Sequence, residues 1–251
     1  MSALTGLDIG DTVVEDKDTI GSTFGVVETA IYPLIIHEAY VKVANSGALG
    51  VHLTLTQNVD GTGQTVEKDV YISSGTEKGG KSYWTDKDGE NHPLPGYLFM
   101  DSLVQIIAGI GKRIQDIPTT KMITQIYDFD AKERLDTEVD MLEPLMGKPI
   151  YVGIEKQLVD KRMKDEKTGK YVTAGGFREE NELLKVWRAA DKKSVDEIKA
   201  DNDKPASFYH IWDKRFTGKT RDRRSKGNKV EAPVSAGEAK PGKSGMFPTQ
   251  K

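Results

Sequence analysis

Two polar stretches of this sequence mix cations with aromatic rings in a way that suits a polyanion carrying flat bases. The first holds Lys78, Lys81, Tyr83, Trp84 and Lys87 in a glycine-rich run; the second holds Lys161, Arg162, Lys164, Lys167, Lys170, Tyr171 and Arg178. Rings stack on unpaired bases at roughly 1–3 kcal/mol each, while ammonium and guanidinium groups follow the phosphates. Tyr83 and Trp84 stand side by side among Gly and Lys with no apolar run to join, so ligand contact competes evenly with packing. The charges of 161–178 read either as a binding loop or as a solvated hairpin tip. Tyr40, Tyr71 and Tyr151 lie in strand-like runs, where a half-buried ring is the simpler reading.

Other chemistries find less support. Asp128, Asp130, Glu133, Asp136, Glu138 and Asp140 form a carboxylate-rich stretch of the kind a magnesium-dependent nuclease uses. They alternate with Lys132 and Arg134 without fixed ligand spacing, so a solvated helical face is expected. His37, His52, His92 and His210 are scattered with no i, i+4 pair, which argues against a zinc site or a histidine-based nucleophile relay. The run Phe216-Thr-Gly-Lys-Thr220 resembles the end of a phosphate loop, yet the first glycine of that motif is replaced by Asp213. With no cysteine, disulfides and thiolate chemistry are excluded together. No catalytic residue, metal or cofactor is expected.

Charge is unevenly distributed. The net charge is −3, but the residues from Lys214 onward hold eleven Lys or Arg against Asp222, Glu231 and Glu238, a local +8 that leaves −11 on the first 213 residues. A basic end on an acidic body points to a polyanion, and Arg221, Arg223 and Arg224 are its densest cluster. Hydrophobic content of 37% against 30% charged residues predicts a modest core with solvated segments. No apolar run approaches a membrane span, and the opening residues lack a secretion signal, so a soluble intracellular protein is expected.

The elements that would position these groups start at residues 31–72. Three alternating runs rich in β-branched and aromatic residues, separated by Asn45-Ser46-Gly47 and Asp60-Gly61-Thr62-Gly63, predict a three-strand antiparallel meander. Val41, Val43, Val51, Leu53 and Leu55 would face the core, while Tyr40, Lys42, His52, Thr54 and Thr56 face away. A polar loop follows at 73–95, then a helix over 97–110 from the spacing of Leu98, Phe99, Leu103, Val104 and Ile107. Residues 121–129 suit a strand or a helix. A strong strand is predicted over 150–163, with its return at 181–187 containing a core Trp187. Ser194 with Glu197 has capping-box spacing for a short helix. Residues 207–216 form an aromatic and basic hook, and 217–251 read as disordered.

Three meander strands, a helix and a long hairpin are the element order of an OB-fold, a mainly β architecture of five strands in a partly open barrel with the helix between strands three and four. The domains expected are an N-terminal arm at 1–28, the OB-fold domain at 29–213 and a basic tail at 214–251. The runs Ala39-Tyr-Val-Lys-Val-Ala, Gly47-Ala-Leu-Gly-Val-His-Leu-Thr-Leu, Lys68-Asp-Val-Tyr-Ile-Ser, the Leu-rich helix, Lys148-Pro-Ile-Tyr-Val-Gly-Ile-Glu and Asn181-Glu-Leu-Leu resemble the phage-encoded OB-fold single-stranded DNA-binding proteins, particularly those of podophages. That resemblance implies a non-enzymatic protein in the cytoplasm of an infected bacterial host. Members of that family coat single-stranded DNA during phage replication, recombination and repair, and some also contact replication or transcription proteins through the C-terminal tail. It also implies DNA contacts at Tyr40, Lys42, Tyr71 and the loop from Arg162 to Arg178. Many members end in an acidic, aromatic-tipped tail; residues 242–251 here contain two lysines and no acid, so those partners do not carry over. The alternative is a virion component or transcription coactivator whose β-domain binds protein while its tail binds DNA.

Overall fold

The apolar alternation of residues 30–71 produces three strands in the computed structural model, which describes residues 25–128, 131–164, 171–200 and 204–225 apart from the side chains of Lys164 and Tyr171. These are β1 (Ala30–Val43), β2 (Leu49–Thr56) and β3 (Thr65–Tyr71), paired antiparallel in sequence order. The β1/β2 register shifts between Ile36 and Glu38. This bulge changes which side chains face inward, so Leu34 and Ile36 before it and Ala39 after it all reach the core. The polar stretch 73–95 is not a plain loop. It folds a two-stranded hairpin, β4 (Tyr83–Thr85) with β5 (Asn91–Pro93).

Helix α1 (Pro95–Ala108) starts with proline at its first position, where a missing N–H costs nothing, and ends at Gly109 in a conformation with φ of 110°. Its buried stripe of Phe99, Met100, Leu103 and Val104 packs on the inner faces of the sheet. Gly96 permits the approach, because a Cβ there would collide with the Tyr71 carbonyl oxygen at the end of β3.

The ambiguous and acidic stretches that follow form a hairpin, β6 (Thr120–Asp128) with β7 (Glu133–Met141), in place of the expected helical charged face. Alternation explains the outcome. Val139 and Met141 turn toward Tyr40 with Ile126 against them, while Asp136 and Glu138 on the opposite face turn to solvent. β8 (Pro149–Lys164) then pairs through its first residues with the first half of β1, Ile35 opposite Pro149 and Ala30 opposite Ile154. β9 (Tyr171–Arg188) pairs with β8 and starts well before the expected 181. The protein is mainly β, and its sheet is not closed.

Contacts divide the chain into two units, Met1–Lys156 with Asn181–Thr220 and Gln157–Glu180 with Arg221–Lys251. The first unit holds the hydrophobic core, including Leu53, Leu55, Leu145, Val152 and Ile154, all essentially inaccessible. α2 (Val195–Lys199) carries the expected capping box: Ser194 Oγ accepts from the Glu197 N–H, and Glu197 Oε2 accepts from the Ser194 N–H at 2.9 Å. The other oxygen of Glu197 accepts from the N–H groups of Ser207 and Phe208, so one carboxylate ties α2 to the start of α3 (Phe208–Phe216). Burial alone would raise its pKa, but the N–H groups of Ser194, Phe208 and Ser207 win and hold it down to about 2. Trp187 is fully buried as expected, wedged among Phe208, Tyr209 and Trp212. The second unit contains the outer parts of β8 and β9 together with Arg221 and Asp222 of β10 (Thr220–Asp222). β10 lies inside the stretch expected to be disordered, and its pairing with β8 continues into a hydrogen bond from the Arg223 N–H to the Leu158 carbonyl.

Candidate nucleic-acid interface

The cations and rings of residues 78–84 line a groove of about 750 Å³ in the first unit. One wall is the turn after β1, where the Ser46 carbonyl accepts from the Thr76 N–H at 2.8 Å and fixes the loop carrying Lys78. The other wall is the β4–β5 hairpin with Tyr83 and Trp84. Lys81 Nζ lies 5.3 Å from the centre of the Tyr83 ring, which attracts the ammonium while leaving it near the groove. Trp84 stacks on its cross-strand partner His92 with ring centres 4.7 Å apart and is still 52% exposed. A large ring held against a second ring and open to solvent is a rigid platform for a base. Glu77 is the acid on this lining, against Lys78 and Lys81.

The hairpin is braced from its turn. Asp86 Oδ1 accepts from the N–H groups of Asp88 and Glu90 at 2.9 Å each, and Oδ2 meets His92 Nε2 at 2.6 Å. The His92 contact first, and the Glu90 N–H next, hold the Asp86 carboxyl below its usual range.

On the outer face of the meander, Tyr40 is buried, stacked on His52 at 4.7 Å and covered by Val139 and Met141 of β7. The β6–β7 hairpin therefore withdraws this ring from any strand of nucleic acid, and burial together with Asp69 pushes its hydroxyl up to about 12. His52, expected to face solvent, is half-buried: Nδ1 lies 2.7 Å from Asp69 Oδ1 and Nε2 3.4 Å from Thr54 Oγ1. This resembles the order of a nucleophile relay, but Thr54 is buried and does not line the groove beside the β4–β5 hairpin. Lys42 Nζ is held by Asp69 Oδ2 at 2.6 Å. Tyr71 remains 42% exposed, its ring lying against Gly50.

In the second unit, Arg162 is exposed and Arg178 pairs with Glu180 at 3.2 Å. Lys164 and Tyr171 sit on β8 and β9, and Lys167 and Lys170 lie outside the described residues. The arginine cluster disperses. Arg221 is exposed on β10, Arg223 donates to Gln157 Oε1, and Arg224 is buried in a two-point pair with Asp222 beneath the Phe177 ring. Arg224 is thereby committed to the fold. The phosphate-loop look-alike is a turn whose Gly218 N–H binds the Thr29 carbonyl and whose Lys219 ammonium binds the Arg215 carbonyl.

Of the acidic stretch, Lys121 lies against Glu138 and Asp140, and its described carboxylates do not converge on a common point. No family model, curated protein or solved structure matches this chain. Among the described residues no helix is long and apolar enough to cross a membrane.

Proposed function

We propose that this protein binds single-stranded DNA without catalysing a reaction, with the β4–β5 groove as a principal contact. The observation that carries this reading is Trp84: a half-exposed indole backed by His92, next to Tyr83, Lys81 and Lys78 in one groove. Stacking platforms alternating with cations suit unpaired bases, and duplex DNA offers no free base face to such a ring. The OB-fold reading is supported by element order. A meander, then α1, then a strand returning antiparallel to the first half of β1 and a hairpin partner match strands one to five of that barrel. Lys68 supports it further, since its ammonium reaches the Asn181 carbonyl and Glu182 where the third and fifth strands of such a barrel approach. The β6–β7 hairpin is then an insertion between the helix and the fourth strand. On this reading the protein coats single strands during phage replication, recombination and repair, as the family it resembles does.

The test is fluorescence anisotropy with labelled oligo-dT and a matched duplex at two salt concentrations, in EDTA. Salt-sensitive binding that favours the single strand is expected. Equal binding to both, or none, overturns the proposal.

A further inference from the structure

The same hairpin places three metal-binding side chains together, a convergence invisible in the linear order of Asp86, Glu90 and His92. One ligand atom from each lies within 4.8 Å of the other two. The cause is the tight turn: Asp86 and Glu90 face each other across it, with the Asp86 N–H on the Glu90 carbonyl at 2.9 Å, and His92 follows two residues later on the same strand face as Glu90.

We propose that Asp86, Glu90 and His92 form a binding site for a divalent transition-metal ion of the zinc type. The donor set selects the ion, because an imidazole nitrogen with two carboxylates suits zinc and its neighbours, whereas calcium takes six to eight oxygens and magnesium an octahedral oxygen shell. The distances fit. Ligand bonds of about 2.0–2.2 Å in a tetrahedral arrangement put donor atoms about 3.4 Å apart. Asp86 Oδ2 and His92 Nε2, now 2.6 Å apart, would open by less than about 1 Å, and Glu90 would close by about 1.5 Å or less. Asp86 needs no rearrangement of its other oxygen, which stays on the Asp88 and Glu90 N–H groups. His92 needs only to bear its proton on Nδ1, leaving the Nε2 lone pair to the ion. Both the imidazole, 41% exposed, and the Asp86 carboxylate, 23% exposed, are reachable from solvent. Three protein ligands leave one coordination position for water or an incoming oxygen. An ion at Nε2 also fixes the imidazole on which Trp84 stacks, so occupancy sets the orientation of the exposed indole.

The test needs no nucleic acid, so it can fail or succeed independently of the DNA-binding proposal. Untagged, EDTA-treated full-length protein is titrated with Zn²⁺, and separately with Mg²⁺, by calorimetry and tryptophan emission. One equivalent of zinc with a change in emission is expected, with magnesium silent. Glu90→Gln, at an exposed position, should weaken zinc binding at least about tenfold with unchanged melting temperature, and His92→Ala should weaken it at least as much while also releasing the Asp86 brace and the Trp84 stack. No saturable uptake, equal uptake of magnesium, or zinc binding that both variants retain would overturn the site.

Discussion

Replacing Trp84 with alanine separates binding from folding. The indole is 52% exposed and touches the rest of the protein chiefly through the His92 ring, so its loss should change stability by no more than about 0.5 kcal/mol. Against a single strand it removes one stacking platform worth roughly 1–3 kcal/mol, or about 5- to 150-fold in Kd. The assay is anisotropy of labelled oligo-dT at fixed salt, with a thermal melt of both proteins. Fluorescence adds a second readout, because Trp187 and Trp212 are buried and Trp84 is the tryptophan a base can reach. Oligo-dT should quench emission of the parent and leave that of Trp84→Ala nearly unchanged. Unaltered affinity, or quenching that survives the substitution, would refute the assignment of the groove.

Lys81→Ala should weaken binding across all sequences and lower the slope of log affinity against log salt by about 0.7, since one phosphate contact is lost. Gly153→Ala should destabilise the fold by about 1–3 kcal/mol in urea titration, because its Cβ would stand 2.9 Å from Trp212 and 3.1 Å from Trp187. Asp69, held down from 3.8 to about 2 first by His52 and then by Lys42, contributes stability present above its unfolded pKa and lost as pH falls from about 4 toward 2. Asp69→Asn should flatten that part of the acid-denaturation curve, and an unchanged curve would count against the network. Glu197→Ala strips four contacts from two helix starts and should lower stability by about 2 kcal/mol, read by the same urea titration.

The meander, α1, the β8 strand and the Ser194–Glu197 box were legible because each rests on local periodicity or a fixed short spacing. The acidic stretch was misread because its carboxylates dominate the composition, while the decisive signal is the alternation of a few apolar residues such as Ile126, Val139 and Met141. Tyr40 shows the same limit: alternation places it correctly away from the core, but cannot say that a distant hairpin covers that face. The Arg221, Arg223 and Arg224 cluster was legible as charge and not as structure, since the contacts of Arg223 with Gln157 and of Arg224 with Phe177 depend on β8 and β9. Asp86, Glu90 and His92 were not legible from the spacing of the four histidines, because a hairpin turn sets one histidine beside two carboxylates. Asp86 followed by Gly89 at the turn, with a histidine opposite Trp84, was the available clue.

The two halves of β1 become pairable at very different times during synthesis. Its second half finds β2 across a short turn, Val43 opposite Leu49, almost as soon as both leave the ribosome. Its first half waits for Pro149 to Ile154, about 120 residues later, or about 6–24 s of translation at 5–20 residues per second. During that interval Ile31 and Leu34 lie on an unpaired, aliphatic strand segment, the kind that nascent-chain chaperones cover and that aggregates when they do not.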